Sequence, residues 1–150
     1  MIKFYDTCSL LIAGEALFEK DEKFLISSIT FSELERIKTA ANKDADIKYS
    51  ARLLLHLFEQ HPDAYDVIVH RTDNEEEIRA HGFEINDDTR ILSDAWEACN
   101  SGEHYCDVEF VTNDLALKYI ARCFFGNNVT SIPEEVDTYV GYKEVTPSDE

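Results

Sequence analysis

Four acidic residues, Asp6, Glu33, Asp88 and Asp114, sit where apolar runs give way to helical patterning. In a parallel α/β sheet the strand-to-helix turns all open at the carboxyl edge of the strands. Acids spread over 109 positions of sequence can therefore meet in one pocket. Converging carboxylates with no local Lys or Arg to neutralise them are the oxygen ligands that hard divalent cations take. No Ser, His or Cys is placed as an obvious nucleophile, and the five His show no metal-ligand spacing. The chemistry this implies is hydrolysis by water. Carboxylates would hold one or two cations, ~4 Å apart if two, that acidify a bound water and neutralise phosphate oxygens. Without metal, such a pocket is electrostatically stressed, because clustered carboxylates raise one another's pKa values.

Each acid also has an ordinary role open to it. Asp6, Asp88 and Asp114 are candidate helix N-caps, each contributing ~1 kcal/mol. Thr30 and Glu33 have the spacing of a capping box. Helical projection at ~100° per residue puts Asp88 in line with Ile91, Ala95 and Cys99, on the sheet-facing side. Asp87 and Asp94 fall off that stripe. Projection does not separate Glu33 from Glu35, which flank Leu34; Glu33 is preferred because it lies nearer the strand end.

The elements that must position these acids are legible as alternating strands and helices. Ile2 to Tyr5, Phe24 to Ser28, Val67 to Val69, Val108 to Val111 and Val129 to Ile132 read as short strands. Residues 7–20 show one helical period through Leu10, Leu11, Ala13, Leu17 and Phe18. A second helix carries Phe31, Leu34, Ile37 and Ala41. A third starts at Asp44 or Asp46 with Ile47, Ala51, Leu54, Leu55 and Phe58 inward. A strongly periodic helix begins at Asp88. Another runs from Asp114 to about Phe125, where Gly126 stops it. Residues 73–86 are acidic and read as a loop or short exposed helix. This alternation predicts an α/β fold with a doubly wound, mostly parallel sheet and helices on both faces. Residues 1–132 form the expected domain, and 133–150 an acidic tail or linker.

Composition bounds the function. At 150 residues and 44% apolar, the chain is one domain with a real core. No apolar run is long enough to span a membrane, and the start does not resemble a signal peptide. The four Cys form no C-x-x-C pair and read as reduced thiols of a cytoplasmic protein. Cys99, His104 and Cys106 lack the fourth partner of a zinc site. The net charge of −17 runs against nucleic-acid binding, which usually rests on basic groups. The basic residues are uneven, however. Arg36, Lys38, Lys43, Lys48 and Arg52 fall within 17 residues that hold only Asp44 and Asp46 as acids. They are the candidate nucleic-acid contacts, against the ordinary reading of a solvated helical face.

The ordered set of short motifs resembles the PIN domain of the 5′-nuclease-like superfamily. The matching pieces are Phe4-Tyr5-Asp6-Thr7, Ser32-Glu33-Leu34, Asn86-Asp87-Asp88-Thr89-Arg90-Ile91-Leu92 and Val111-Thr112-Asn113-Asp114. The resemblance covers nearly the whole chain. It implies a three-layer α/β/α sandwich with a mostly parallel central sheet. It also implies Mg²⁺ or Mn²⁺ held by Asp6, Glu33, Asp88 and Asp114, with Thr112 near the site. The activity implied is endonucleolytic cleavage of single-stranded RNA, leaving a 5′-phosphate and a 3′-hydroxyl. Asp87 is left without a role. The partners it implies are a second copy of the chain, and an antitoxin or a linked ATPase domain. Residues 139–145 resemble the segment that joins a PIN domain to the ATPase domain of PhoH-type proteins, although no G-x-x-x-x-G-K-[ST] is present. A haloacid-dehalogenase-like phosphatase would need a second Asp at Cys8. A receiver domain would need paired acids after the first strand and a late Lys. The alternative from another class is a PIN-like docking or regulatory module without strong catalysis.

Overall fold

The computed structural model describes residues 1–41 and 44–134. Over them the chain runs β1 (Ile2–Tyr5), α1 (Thr7–Ala13), α2 (Ala16–Glu19), β2 (Phe24–Ser27), α3 (Ser28–Thr39), α4 (Ala45–Gln60) and β3 (Tyr65–Ile68). It continues with α5 (Glu76–Ala80), α6 (Asp87–Asn100), β4 (Val108–Val111), α7 (Leu115–Phe125) and β5 (Val129–Thr130). Short 3₁₀ turns at Thr72–Glu75 and Gly102–His104 precede α5 and β4.

All strand pairings are parallel, in the order β3-β2-β1-β4-β5. Successive strand residues face opposite sides of the sheet, and the two cores show it. Phe4, Leu25 and Phe110 pack with Ile91, Leu92, Leu117 and Phe124 of α6 and α7 on one side. Tyr5, Phe24, Ile26 and Val111 pack with Leu10, Leu34, Leu54 and Phe58 of α1, α3 and α4 on the other. The result is the three-layer α/β/α sandwich. Covered on both faces, its strands are near-continuous apolar runs rather than alternating ones.

Several boundaries move. The single period over 7–20 is two helices, split at Gly14, whose φ of 58° is left-handed and easy for glycine. Leu10 and Leu17 both reach the same core, which is why the period reads as continuous. The strand expected at 67–69 lies at Tyr65–Ile68, and the last strand is only Val129–Thr130. Ala41 lies beyond α3, and Ile47 of α4 is exposed, because the first turn of α4 overhangs the core. The acidic stretch 73–86 is not simply exposed: Glu75 and Ile78 are buried. Ile78 completes the core against α6, and Glu75 is surrounded by cations. Among the described residues no helix is long and apolar enough to cross a membrane.

Candidate active site at the sheet switch point

From β1 the chain builds outward through β2 and β3, then returns to the other side of β1 for β4 and β5. The crevice between the carboxyl ends of β1 and β4 is therefore the switch point, the usual ligand position in an open α/β sheet. Tyr5 is in register with Val111, so Asp6 and Thr112 emerge side by side. Asp6 is 3% exposed. Its Oδ1 accepts from the Ser9 backbone N–H at 2.9 Å, capping α1, and its Oδ2 accepts from the Thr112 hydroxyl at 2.5 Å. The Ser9 hydroxyl, fully buried, lies 3.0 Å from the Val111 carbonyl and 3.1 Å from that of Asp6. It clamps the two strand ends together, and with its hydrogen directed at backbone it is no nucleophile.

Asp114 caps α7, accepting from Leu117 N–H at 3.0 Å. Its own N–H donates to Thr112 Oγ1 at 3.1 Å, so Thr112 links the two aspartates. Asp6 and Asp114 are thus caps and members of the cluster at once. A carboxylate there is favoured by the positive end of the helix behind it.

Glu33 and Asp88 are freed from capping. The capping box expected for Thr30 and Glu33 does not form. Ser27 caps α3 instead, and the helix starts at Ser28, which places buried Thr30 in its first turn. The Thr7 hydroxyl then lies 2.5 Å from Glu33 Oε1 and 3.1 Å from Thr30 Oγ1. Asp88 is not a cap either. Asn86 caps α6 in a reciprocal box with Thr89. Among the described residues the Asp88 carboxylate takes no hydrogen bond and no ion pair. Its neighbour Asp87 is bound by Arg36 at 2.5 Å and by Arg90 at 3.2 Å.

The electrostatics bind these acids into one group. Burial raises Asp6 above its ordinary value against the pull of Thr112 and Ser9, and the charge of Asp114 adds to the rise. Asp88 is raised by burial, then by Asp114, Asp6 and Asp87. Glu33 is raised by burial; the Thr7 hydrogen bond and Arg36 oppose this, while Asp87 and Asp88 add to it. Cys8 reports the same field. Burial, then Asp6, Asp114, Glu134 and Asp88, push its thiol up to about 11. It is protonated at neutral pH and is no thiolate nucleophile.

The donor set is all oxygen, and its members carry uncompensated negative charge, which suits a hard divalent cation. Among the described residues no three His, Cys, Asp or Glu side chains close into a group that could hold one ion. A site taking one or two carboxylates and several waters does not need such a cage, and Mg²⁺ characteristically binds that way.

The basic stretch fares differently. Arg36 pairs with Asp87, and Lys38 with Glu35 at 3.0 Å. Lys43 lies outside the described residues, as do 139–145. Lys48 and Arg52, on α4, make no ion pair among the described residues.

Sequence reading overlooked a second polar cluster. Asp94, fully buried, accepts from Ser27 Oγ at 2.6 Å and Asn74 Nδ2 at 3.2 Å. His70 stands between Asp94 Oδ1, 2.8 Å from Nδ1, and Glu75 Oε2, 2.6 Å from Nε2. Asp94 reads as off the apolar stripe of α6, yet it is only ~60° from Ile91 at ~100° per residue. That angle was the available signal for burial.

The chain belongs to the PIN domain family, whose profile matches residues 4–124. PIN domains are generally nucleases and typically use divalent metals. Among solved structures, a chain of VapBC-1 from nontypeable Haemophilus influenzae is similar, with a TM-score of 0.49 and 17% identity. The similarity covers 88% of this chain and 97% of that one. No curated protein matches the sequence.

Proposed function

We propose that this PIN domain is a metal-dependent endoribonuclease acting on single-stranded RNA. Mg²⁺ or Mn²⁺ would be held by one or two carboxylates of the Asp6, Asp88 and Asp114 cluster and by water, with Glu33 at the margin. The observation that carries the reading is the setting of Asp6. It is a buried carboxylate fixed on both oxygens at the switch point, beside Asp114, and among the described residues no cation pairs with either. Family membership adds support.

Bound there, the ion supplies an acidified water and neutralises charge on phosphate oxygens. The chain's own residues do the rest. Thr112 holds the Asp6 carboxylate in one rotamer and ties it to the Asp114 backbone. Thr7 does the same for Glu33. Thr112 therefore acts as a positioning group rather than a ligand. Asp88, without a protein partner among the described residues, is the acid freest to turn toward a bound ion. Asp87, held by two arginines, braces α6 against α3 and is not a ligand. Lys48 and Arg52 are the basic side chains best able to meet an RNA backbone, since Arg36 and Lys38 are already paired.

The test is Asp6→Asn. In the parent chain Mn²⁺ at ~100 times its dissociation constant should add about 2.7 kcal/mol of stability. The variant should lose most of that increment together with cleavage of single-stranded RNA. A parent chain whose melting temperature ignores millimolar Mn²⁺, and which cuts no RNA, would leave the docking-module reading in its place.

A further inference from the structure

The cluster around His70 contacts none of the four acids, yet it joins the two helices that carry Glu33 and Asp88. Ser27, which donates to Asp94, is also the cap of α3: its Oγ accepts from Ile29 N–H at 2.9 Å. The His70 backbone N–H donates to Ser28 Oγ at 2.9 Å. Asp94 belongs to α6. On the other side of the ring, Glu75 is met by Arg79 at 2.9 Å and by Arg90 of α6 at 3.3 Å. Arg90 continues to Asp87, and Asp87 to Arg36 of α3. Two bridges therefore span α3 and α6, one through Ser27–Asp94 and one through Arg36–Asp87. His70 and Glu75 connect them.

A proton count gives this arrangement a state. Both ring nitrogens of His70 face carboxylate oxygens within 2.8 Å. Each of those contacts needs a hydrogen. A neutral imidazole has one N–H, so the triad holds a further proton, either as imidazolium or on one carboxylate. The groups facing the ring are Asp94 from α6, Glu75 from the 3₁₀ turn and the Ser28 hydroxyl beside its backbone. Arg79, Arg90 and Asn74 act through the two carboxylates. Burial pulls His70 down, but hydrogen bonds and charges of Glu75 and Asp94 outweigh it and hold it above its ordinary value. The retained proton thus persists where an ordinary histidine is losing its own.

We propose that His70 is a positioning residue for the nuclease site: the protonated Asp94–His70–Glu75 clasp sets the spacing of the α3 and α6 starts, and with it the placement of Glu33 and Asp88. The proposal rests on the metal-site reading above for its functional consequence, but not for its structural content. Deprotonation leaves one carboxylate facing a bare ring nitrogen, which breaks the connection between the two bridges on that side.

The experiment uses the full chain, labelled with ¹⁵N. In the parent chain the His70 ring should keep the retained proton to a higher pH than an ordinary histidine does. The Glu33 and Asp88 amide resonances should shift with the midpoint of the His70 ring as it is lost. Asp6 and Asp114 amides, on β1 and β4 turns, should shift little. His70→Gln keeps amide donors but brings no positive charge between the two carboxylates. It should displace the same two amides and weaken Mn²⁺ binding by about tenfold, the scale of a lost supporting hydrogen bond behind a ligand. His70→Lys, which keeps a cation with donors for both acids, should recover most of the affinity and remove the pH dependence that follows the His70 ring. A folded His70→Gln with parent-like Glu33 and Asp88 amides overturns the proposal. So do amides that titrate independently of the ring, a result the parent chain supplies even where both variants fail to fold. A parent chain that binds no Mn²⁺ instead overturns the metal reading, and the amide shifts still decide the role of His70.

Discussion

The molecule holds two acidic clusters that differ in one respect, the cations built in around them. At the switch point Asp6, Asp88 and Asp114 feel one another's charge, and among the described residues hydroxyls and backbone N–H groups hold Asp6 and Asp114 in place of any ion pair. Behind α6, by contrast, Asp94, Glu75 and Asp87 are met by His70, Arg79, Arg90 and Arg36. The second cluster is complete in the polypeptide. Among the described residues the first has no positive charge paired to it. A buried, satisfied ion pair adds little net stability over an apolar substitute, but removing one partner leaves an uncompensated charge and is costly. The closed cluster is therefore organised for geometry, and the open one for a ligand.

The comparison is easiest to break at Asp94. Asp94→Ala leaves Ser27, Asn74 and protonated His70 facing an empty buried position. It should cost about 3–5 kcal/mol, read by urea unfolding. A loss below ~1 kcal/mol would mean the closed cluster is hydrated and constrains nothing.

A pH scan separates the clusters more finely. Asp6, Glu33 and Asp88 are raised in the folded chain, so the folded apo state binds protons more tightly than the unfolded one. The stability this confers is full below the ordinary carboxylate values. It is lost as pH rises through the folded values. His70 is also raised, so its contribution is full below about 6.5 and lost as pH rises through its folded value. Glu75 runs the other way: lowered by His70 and Arg90 in spite of its burial, it loses its contribution only as pH falls below 4.5. Apo stability should therefore decline with rising pH in two steps. Mn²⁺ should shrink the first, leaving the share of Asp94, which burial also raises, and His70→Gln should remove the second. One step removed by both changes would merge the two clusters into one system.

The smallest effect on the fold is expected at Asp114. Asn caps a helix about as well as Asp, so Asp114→Asn should leave apo stability equal or slightly higher, as repulsion from Asp6 and Asp88 is relieved. The stabilisation by Mn²⁺ and the RNA cleavage should fall sharply in the same variant. Paired melts with and without Mn²⁺ read both. A plain loss of apo stability, with the Mn²⁺ increment intact, would return Asp114 to a purely capping role.

The architecture was legible in the sequence, and so was the place of the four acids along it, because both follow from local rules. Apolar runs of strand length alternate with 3.6-period segments, and each acid stands at a strand end or in the first turns of the helix after it. That periodicity sufficed for the parallel sandwich, and the ordered motifs around Asp6, Glu33, Asp88 and Asp114 for the family. Tertiary structure decided what each polar residue does once it arrives. Capping went to Ser27 and Asn86 rather than to Thr30 and Asp88, because the backbone entered α3 and α6 at residues that periodicity cannot fix. Asp87 and Asp88 differ by one helical step, yet α3 supplies Arg36 to the first and nothing to the second. Asp94 and His70, 24 residues apart, became partners only because β3 ends beside the start of α3 and α6 packs over both. Local pattern determined where charge sits along the chain. Which charges find a partner depended on the packing of distant elements, and that is what separates the closed acidic cluster from the open one.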